Sequence, residues 1–332
     1  MSRPTVGAIR WDAWTGGPVT EEVQRTLATE QYRFRLPWYA EVDRDSVRIH
    51  GGRQEIMDQE IAYAAHGGLD YWAFLLYADK TPMAAALELY LKSSRRGEVN
   101  FCCILHSSIT VKDEAWPHEL ERLLWLLDEP GYQRVCNGRP LVYLFMDDFF
   151  GGVAPARVAE FRKTAAARGI DPYLAFMGWN PREDWKKAAP HGFSAVSAYA
   201  YAGKGKFSDV AAATERDFWR AALDASVPCI PLVTTGWDKR PRMDNPVSWE
   251  RHHSYHKDRT FTERATPDEI AAHLSRGIEW VREHADACPA QSIIMYAWNE
   301  NDEGGWLVPT WTENAADTLR IDAVRCVLRN LN

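Results

Sequence analysis

Glu300 and Glu303, three positions apart, sit in the segment YAWNENDEGGWLVPTW that runs from Tyr296 to Trp311. Paired carboxyls can divide acid and base work. Cleaving a glycosidic bond needs one carboxyl to protonate the leaving oxygen and a second to act as base or nucleophile. Neighbouring carboxylates also push their pKa values apart, which suits one acid and one base. In a helical turn, residues i and i+3 face the same side. The competing role for Glu303 is a solvated loop acid or a helix cap. Trp298, Trp306 and Trp311 share the segment, and the chain carries 15 tryptophans in all. Indoles bury large areas in cores, but they also offer flat surfaces to the C–H faces of sugars.

Other chemistry-bearing groups are weaker. Asp147-Asp148 could bind a divalent cation or work as acid and base; the plainer reading is one cap and one partner for a sugar hydroxyl. RHHSYHKD places His252 and His256 four apart, a metal-ligand spacing on a helix. No HExxH accompanies them, so no metal site is expected. The six cysteines form no CxxC pair and fall mostly in apolar runs, as buried reduced thiols do.

The elements that must position these residues follow from the hydrophobic pattern. Eight nearly continuous apolar runs recur: VGAIRW, YWAFLLYA, NFCCILHS, RPLVYLFM, DPYLAFMG, AVSAYAYA, VPCIPLVTT and SIIMYAWN. Runs of this kind are strands buried on both faces. Amphipathic stretches lie between them, at 55–66, 83–92, 118–127, 155–168, 210–225, 267–284 and 314–328, with a weaker one at 184–190. Pro155 and Pro267 suit first helical turns, and Gly67-Gly68 and Gly169 suit helix ends. Strands alternating with helices predict a parallel sheet with crossovers, and in this length a single (β/α)8 barrel over residues 1–332. The alternative is an open doubly wound sheet, but no GxGxxG or GxxxxGK[ST] loop occurs. Two long inserts, 15–54 after the first strand and 237–266 after the seventh, would leave the C-terminal face, where barrel active sites lie.

The strand ends then supply the candidate site. Trp11, Asp12 and Trp14 follow the first strand, Tyr77 the second, His106 the third and Asp147 the fourth. Trp179 follows the fifth, Tyr199 the sixth, Trp237 and Asp238 the seventh, and Trp298, Asn299, Glu300 and Glu303 the eighth. Rings for stacking plus carboxyls and amides for hydroxyls describe a sugar site. Trp11, Trp237, Trp298 and Trp306 are expected as stacking walls; Asp12, Asp238, Asn299 and Tyr199 are expected to hold hydroxyls.

WNENDEGG resembles the NEWxEG signature of the WbsX-like and glycoside hydrolase family 99-like barrels, with Asn299, Glu300, Glu303 and Gly304 matching. GWDKRPR is similar to the GWDNTPR-type motif of the WbsX group at Trp237, Asp238, Pro241 and Arg242. The resemblance implies an endo-mannosidase-like barrel in which Glu300 is the base on the sugar 2-hydroxyl and Glu303 the acid/base. It departs at Asn301-Asp302, where the family has Trp plus a small residue or His. His106-Ser107 stands where a WANE-like segment is expected.

A retaining glycoside hydrolase without cofactor or metal, acting on an oligosaccharide or polysaccharide, is the expectation. A WbsX-type glycosyltransferase and a non-catalytic carbohydrate-binding barrel are the alternatives. The net charge of −7 and pI of about 5.8 argue against a nucleic-acid partner. No stretch approaches the roughly 18 apolar residues of a membrane span. The N-terminus lacks a secretory signal pattern, which predicts a cytoplasmic chain unless a signal has been removed.

Overall fold

The computed structural model describes residues 3–44, 46–145, 151–250 and 258–330. Asp147, Asp148, His252, His253 and His256 lie outside the described residues. All eight apolar runs form parallel strands, β1 (Thr5–Arg10), β2 (Tyr71–Leu76), β3 (Asn100–Leu105), β4 (Arg139–Phe145), β5 (Tyr173–Met177), β6 (Ala195–Ser197), β7 (Leu232–Thr234) and β8 (Ser292–Tyr296). The sheet runs β7-β8-β1-β2-β3-β4-β5-β6. It closes where β6 meets the segment leading into β7: Val196 N donates to Pro228 O and Ile230 N to Val196 O, both at 2.9 Å. That closure is the expected (β/α)8 barrel. A short strand, Arg134–Val135, pairs antiparallel with β4 outside the ring.

Burial on both faces explains the composition of the strands. Tyr71, Phe74, Tyr143 and Ile294 are fully enclosed, and the described residues share one contiguous apolar core. At the barrel floor the Tyr71 hydroxyl meets those of Tyr143 and Ser292, each at 2.9 Å. Gly7 makes this possible: a Cβ there would fall 2.2 Å from the Tyr71 ring.

The outer helices are α2 (Gln54–Gly67), α3 (Ala85–Lys92), α4 (Trp116–Asp128), α5 (Ala154–Ala167), α6 (Pro181–Ala188), α7 (Phe207–Thr214), α9 (Pro267–Glu283) and α10 (Leu319–Arg329). Local chemistry sets several ends. Thr266 and Glu269 form a reciprocal capping box at the start of α9, with Pro267 in the first turn. Gly68 ends α2 in the left-handed region. The helix expected from 314 starts later. Asp317 N donates to Thr310 O at 2.8 Å and Thr310 N to Asp317 O at 3.0 Å, so this pairing holds 314–318 as a loop.

Both inserts rise from the same face. The first forms α1 (Gly17–Ala28), a 3-10 turn (Glu30–Arg35) and a small hairpin pairing Glu41–Asp43 with Ser46–Arg48. The second contributes α8 (Arg240–Asp244). They hold each other: Arg35 pairs with Asp238, Tyr32 donates to Asp244, and Arg25 donates to Pro246 O at 2.9 Å.

Candidate active site

A cavity of about 630 Å³ opens at the C-terminal face, and every strand end reaches it. Trp11 comes from β1, Tyr77 from β2, His106 from β3, Phe145 from β4, Trp179 from β5 and Tyr199 from β6. Trp237, Lys239 and Arg242 follow β7; Glu300 and Glu303 follow β8. Much of the wall is one aromatic series. Tyr77 meets His106, His106 stacks on Phe145, and Phe145 lies nearly parallel to Tyr199 at 4.3 Å between centroids. Offset ring pairs of this type are worth ~0.5–1.5 kcal/mol beyond area burial, which holds the wall in one arrangement. Trp11 is fixed by its indole N–H, which donates to the Tyr77 hydroxyl at 2.7 Å. Trp179 at the rim is 58% exposed, so its ring is free to stack on a ligand.

The two glutamates are brought together by the turn after β8. Glu300 ends a two-residue strand, and Asn301–Glu303 form a single 3-10 turn, so the i, i+3 spacing puts both side chains into the cavity. Gly304 then reverses the chain at φ +88, and a Cβ there would fall 2.5 Å from Asp238 N. Gly236 faces it, where a Cβ would fall 2.4 Å from Gly304 O. The glycines of both sequence motifs let the loops after β7 and β8 touch backbone to backbone, and Asp238 N donates to Glu303 O across the contact.

The surroundings of the two carboxyls differ. Arg242 donates to Glu303 Oε1, Lys239 Nζ lies 3.0 Å from it, and the Tyr296 hydroxyl donates to Oε2 at 2.8 Å. Glu250 and Asp302 balance the cations: Lys239 reaches Glu250 at 2.7 Å, and Arg242 reaches Glu250 at 2.8 Å and Asp302 at 2.7 Å. Burial works against the Arg242 charge, but Asp302, Glu303 and Glu250 outweigh it and raise its pKa. Glu300 accepts a hydrogen bond from the Tyr199 hydroxyl on Oε1, while Oε2 is buried with no hydrogen-bond partner among the described residues. Burial, then the Glu303 charge, push the Glu300 pKa well above the usual carboxylate range; Arg242 and Tyr199 pull back less.

Several residues expected at the site lie behind its walls. Trp298 is fully buried against Trp72, 5.1 Å between centroids, with its N–H directed at Glu60 at 3.4 Å. It has no free face for stacking. Trp306 covers the Arg320 guanidinium at 3.5 Å and lines a separate cavity of about 60 Å³ with Arg264 and Pro267. Trp14 is buried and donates to Asn299 O at 3.0 Å. Asp12 is closed into a pair with Arg10 at 2.8 Å; burial pushes its pKa up to about 6, with Arg10 opposing. Asp238 pairs with Arg240 at 2.8 Å and with Arg35, and these cations hold its pKa below the usual range against the effect of burial. Asn299 Oδ1 accepts from Trp11 N at 2.9 Å and so positions the wall. The common physical reason is that a strand-end residue turns either into the mouth or back under a loop, and these six turn back.

Other lining residues escaped the strand-end reading. Trp249 and Glu250 come from the second insert, Val19 from the first and Met83 from the turn before α3; none ends a strand. Tyr296 could have been found, because strand alternation turns it inward two residues before Trp298. Among the described residues, no group of three or more His, Cys, Asp or Glu side chains is arranged to hold a metal ion. No described helix is long and apolar enough to cross a membrane.

No family model and no curated protein matches this sequence. Solved structures do match in shape. The glycoside hydrolase family 99 endo-α-mannosidase of Bacteroides thetaiotaomicron, in complex with Bis-Tris-propane, superposes with a TM-score of 0.62 at 12% identity, covering 100% of this chain and 98% of that one. A second structure of the endo-α-mannosidase from this organism gives 0.62 at 11%, with the same coverage. At such identities the likeness is one of fold: this chain has a barrel shared with glycoside hydrolases.

Proposed function

We propose that this protein is a glycoside hydrolase that cleaves an O-glycosidic bond with Glu300 and Glu303, with retention of configuration. The observation that carries the reading is the placement of both carboxyls in one aromatic-walled cavity at the C-terminal face of the barrel. Its volume lies within the usual range of ligand sites, and its lining is mostly rings with a few convergent polar groups. Trp11, Trp179 and Trp237 supply stacking surfaces, and Trp249 adds one from the second insert. Tyr77, His106 and Tyr199 supply hydroxyl partners. Asn299 and Asp12 serve the site from behind by positioning Trp11 and the β1 end. The fold shared with an endo-α-mannosidase supports a carbohydrate substrate.

The residues at which the sequence departs from the WbsX and family 99 pattern have local duties. Asn301 Nδ2 donates to Arg35 O at 2.7 Å and ties the first insert to the catalytic turn. Asp302 fixes Arg242. The test is a hydrolysis screen over α- and β-linked oligosaccharides, read by mass spectrometry. Release by wild type that falls by about 10²-fold or more in Glu303→Gln supports the reading. Transfer from nucleotide-sugar donors with no hydrolysis of any glycoside would replace it with the glycosyltransferase.

A further inference from the structure

Helix α4 buries Leu120, Leu123, Leu124 and Leu127 against the barrel, as an amphipathic period requires. Its solvent side carries His118, Arg122 and, one turn on, Trp125, which is 52% exposed. An exposed ring alone is ordinary. This one walls a groove of about 730 Å³ between α3 and α4, within the usual size range of ligand sites. Resting on the glycosidase reading for its ligand, we propose that the groove is a second carbohydrate site. It holds one stretch of an uncharged polysaccharide against Trp125 while another stretch lies in the catalytic cavity.

The walls fit a neutral, hydroxyl-rich chain. They are charged, but the charges are matched. Lys92 meets Glu88 at 3.5 Å, and Arg96 meets Glu129 at 3.2 Å. Asp79 has His118 at 2.8 Å and Arg122 at 3.9 Å, and Glu121 has Arg168 at 2.6 Å. The groove therefore offers no surplus of either sign to a nucleic acid or an acidic chain. A paired carboxylate or guanidinium still keeps lone pairs and N–H groups for hydroxyls. The apolar part is narrow. Leu87 and Leu126 are buried in the floor and Leu91 is half-buried, which leaves Trp125 as the exposed ring. A docking helix would need a row of apolar anchors. A single flat indole among polar groups suits the C–H face of a sugar ring.

The groove also continues from the cavity. Tyr77 lines the catalytic cavity, and Asp79, two residues further along the same loop, lines the groove. Arg122 from the groove wall ties the two together, its Nη1 donating to Tyr77 O at 2.8 Å. From His118 to Glu129 the groove follows α4 for about 16 Å. A chain that leaves the cavity over the end of β2 meets Asp79 and His118 first and Trp125 after them. A short glycoside fills the cavity and never reaches the groove, so the second site acts on polymers alone.

Affinity electrophoresis in native gels cast with a soluble α-mannan, a β-glucan or a xylan tests the groove without turnover. At least one polymer should retard wild type. Trp125→Ala should weaken that binding by about 10-fold, and Trp125→Phe should keep most of it. Melting curves should not move, because the ring is on the surface. On the same polymer Trp125→Ala should raise KM by a similar factor with kcat unchanged, while an aryl glycoside is hydrolysed as by wild type. Equal retardation of wild type and Trp125→Ala overturns the proposal, as does no retardation by any of the three. A wild-type dimer in sedimentation that Trp125→Ala turns into a monomer also overturns it, and gives the groove to a second copy of this chain. The two readings fail separately. Retardation through Trp125 with no hydrolysis leaves the groove and removes the glycosidase; hydrolysis with no effect of Trp125 leaves the glycosidase and removes the groove.

Discussion

Two of the buried ionic clusters at the C-terminal end of the barrel differ in what they leave open. In the first, Arg10 bridges Asp12 at 2.8 Å and Glu60 at 2.6 Å, with its guanidinium 4.6 Å from the Trp72 ring centre. Trp298 seals it with an N–H toward Glu60. In the second, Lys239 and Arg242 bind Glu250, Asp302 and Glu303, and Glu300 stands beside them with one oxygen unpartnered among the described residues. Only the second borders the large cavity. Buried, paired carboxylates therefore do not by themselves mark chemistry. What sets the second cluster apart is an uneven sharing of cations between two carboxyls that reach one cavity.

The largest effect that would sharpen this contrast is on turnover. Glu303→Gln should reduce kcat by about 10²- to 10⁴-fold with the fold intact, since Asp302 and Glu250 still hold Arg242; steady-state kinetics with circular dichroism checks both. Glu60→Gln should act in the opposite way. It removes one carboxylate from Arg10 inside a sealed cluster and should cost about 3 kcal/mol of stability. The folded fraction should keep wild-type kcat, as read from urea melts and active-site-normalised rates. Equal kinetic damage from both variants would erase the distinction between the clusters. Trp179→Ala removes an exposed ring from the rim; KM should rise by roughly 10-fold, about 1.4 kcal/mol, with the melting temperature unchanged.

The smallest effect concerns pH. The folded-state pKa of Glu300 is raised, so in the window between the ordinary glutamate value and the folded value the native state binds more protons than the unfolded chain. Its contribution to stability is therefore fully present below the ordinary value and is lost as pH rises toward the folded one. Glu300→Gln removes that loss and should stabilise the protein by about 1 kcal/mol at neutral pH, with the gain fading on acidification. Thermal melts at matched ionic strength over the acid-to-neutral range check the sign; a gain that grows in acid would contradict a raised Glu300.

The cavity wall was legible where it depends on strand ends. Trp11, Tyr77, His106, Trp179, Tyr199 and Trp237 each follow a strand that its apolar run made recognisable, and the structure brings all six to one cavity. Trp298 illustrates the limit. It also follows a strand, but the chain reverses at Gly304 and packs Leu307 and Val308 onto the Trp298 backbone, which donates no information about direction in the sequence. Trp249 and Glu250 were illegible for a different reason: they lie in a long insert whose course depends on its contacts with α1, such as Ser248 with Glu22 at 2.7 Å.

The amino-acid sequence alone determined the barrel, because runs buried on both faces, alternating with amphipathic helices, have few other ways to cover their surfaces. It also determined that two carboxyls would share one turn, because a three-residue spacing in a helical turn is local geometry. Tertiary structure alone decided how the two differ. Lys239 and Arg242 reach Glu303 from loops about 60 positions away, and Tyr199 reaches Glu300 from about 100 positions away. Charge and solvation act through space, so which of two identical side chains keeps a proton depends on neighbours that only the closed barrel assembles.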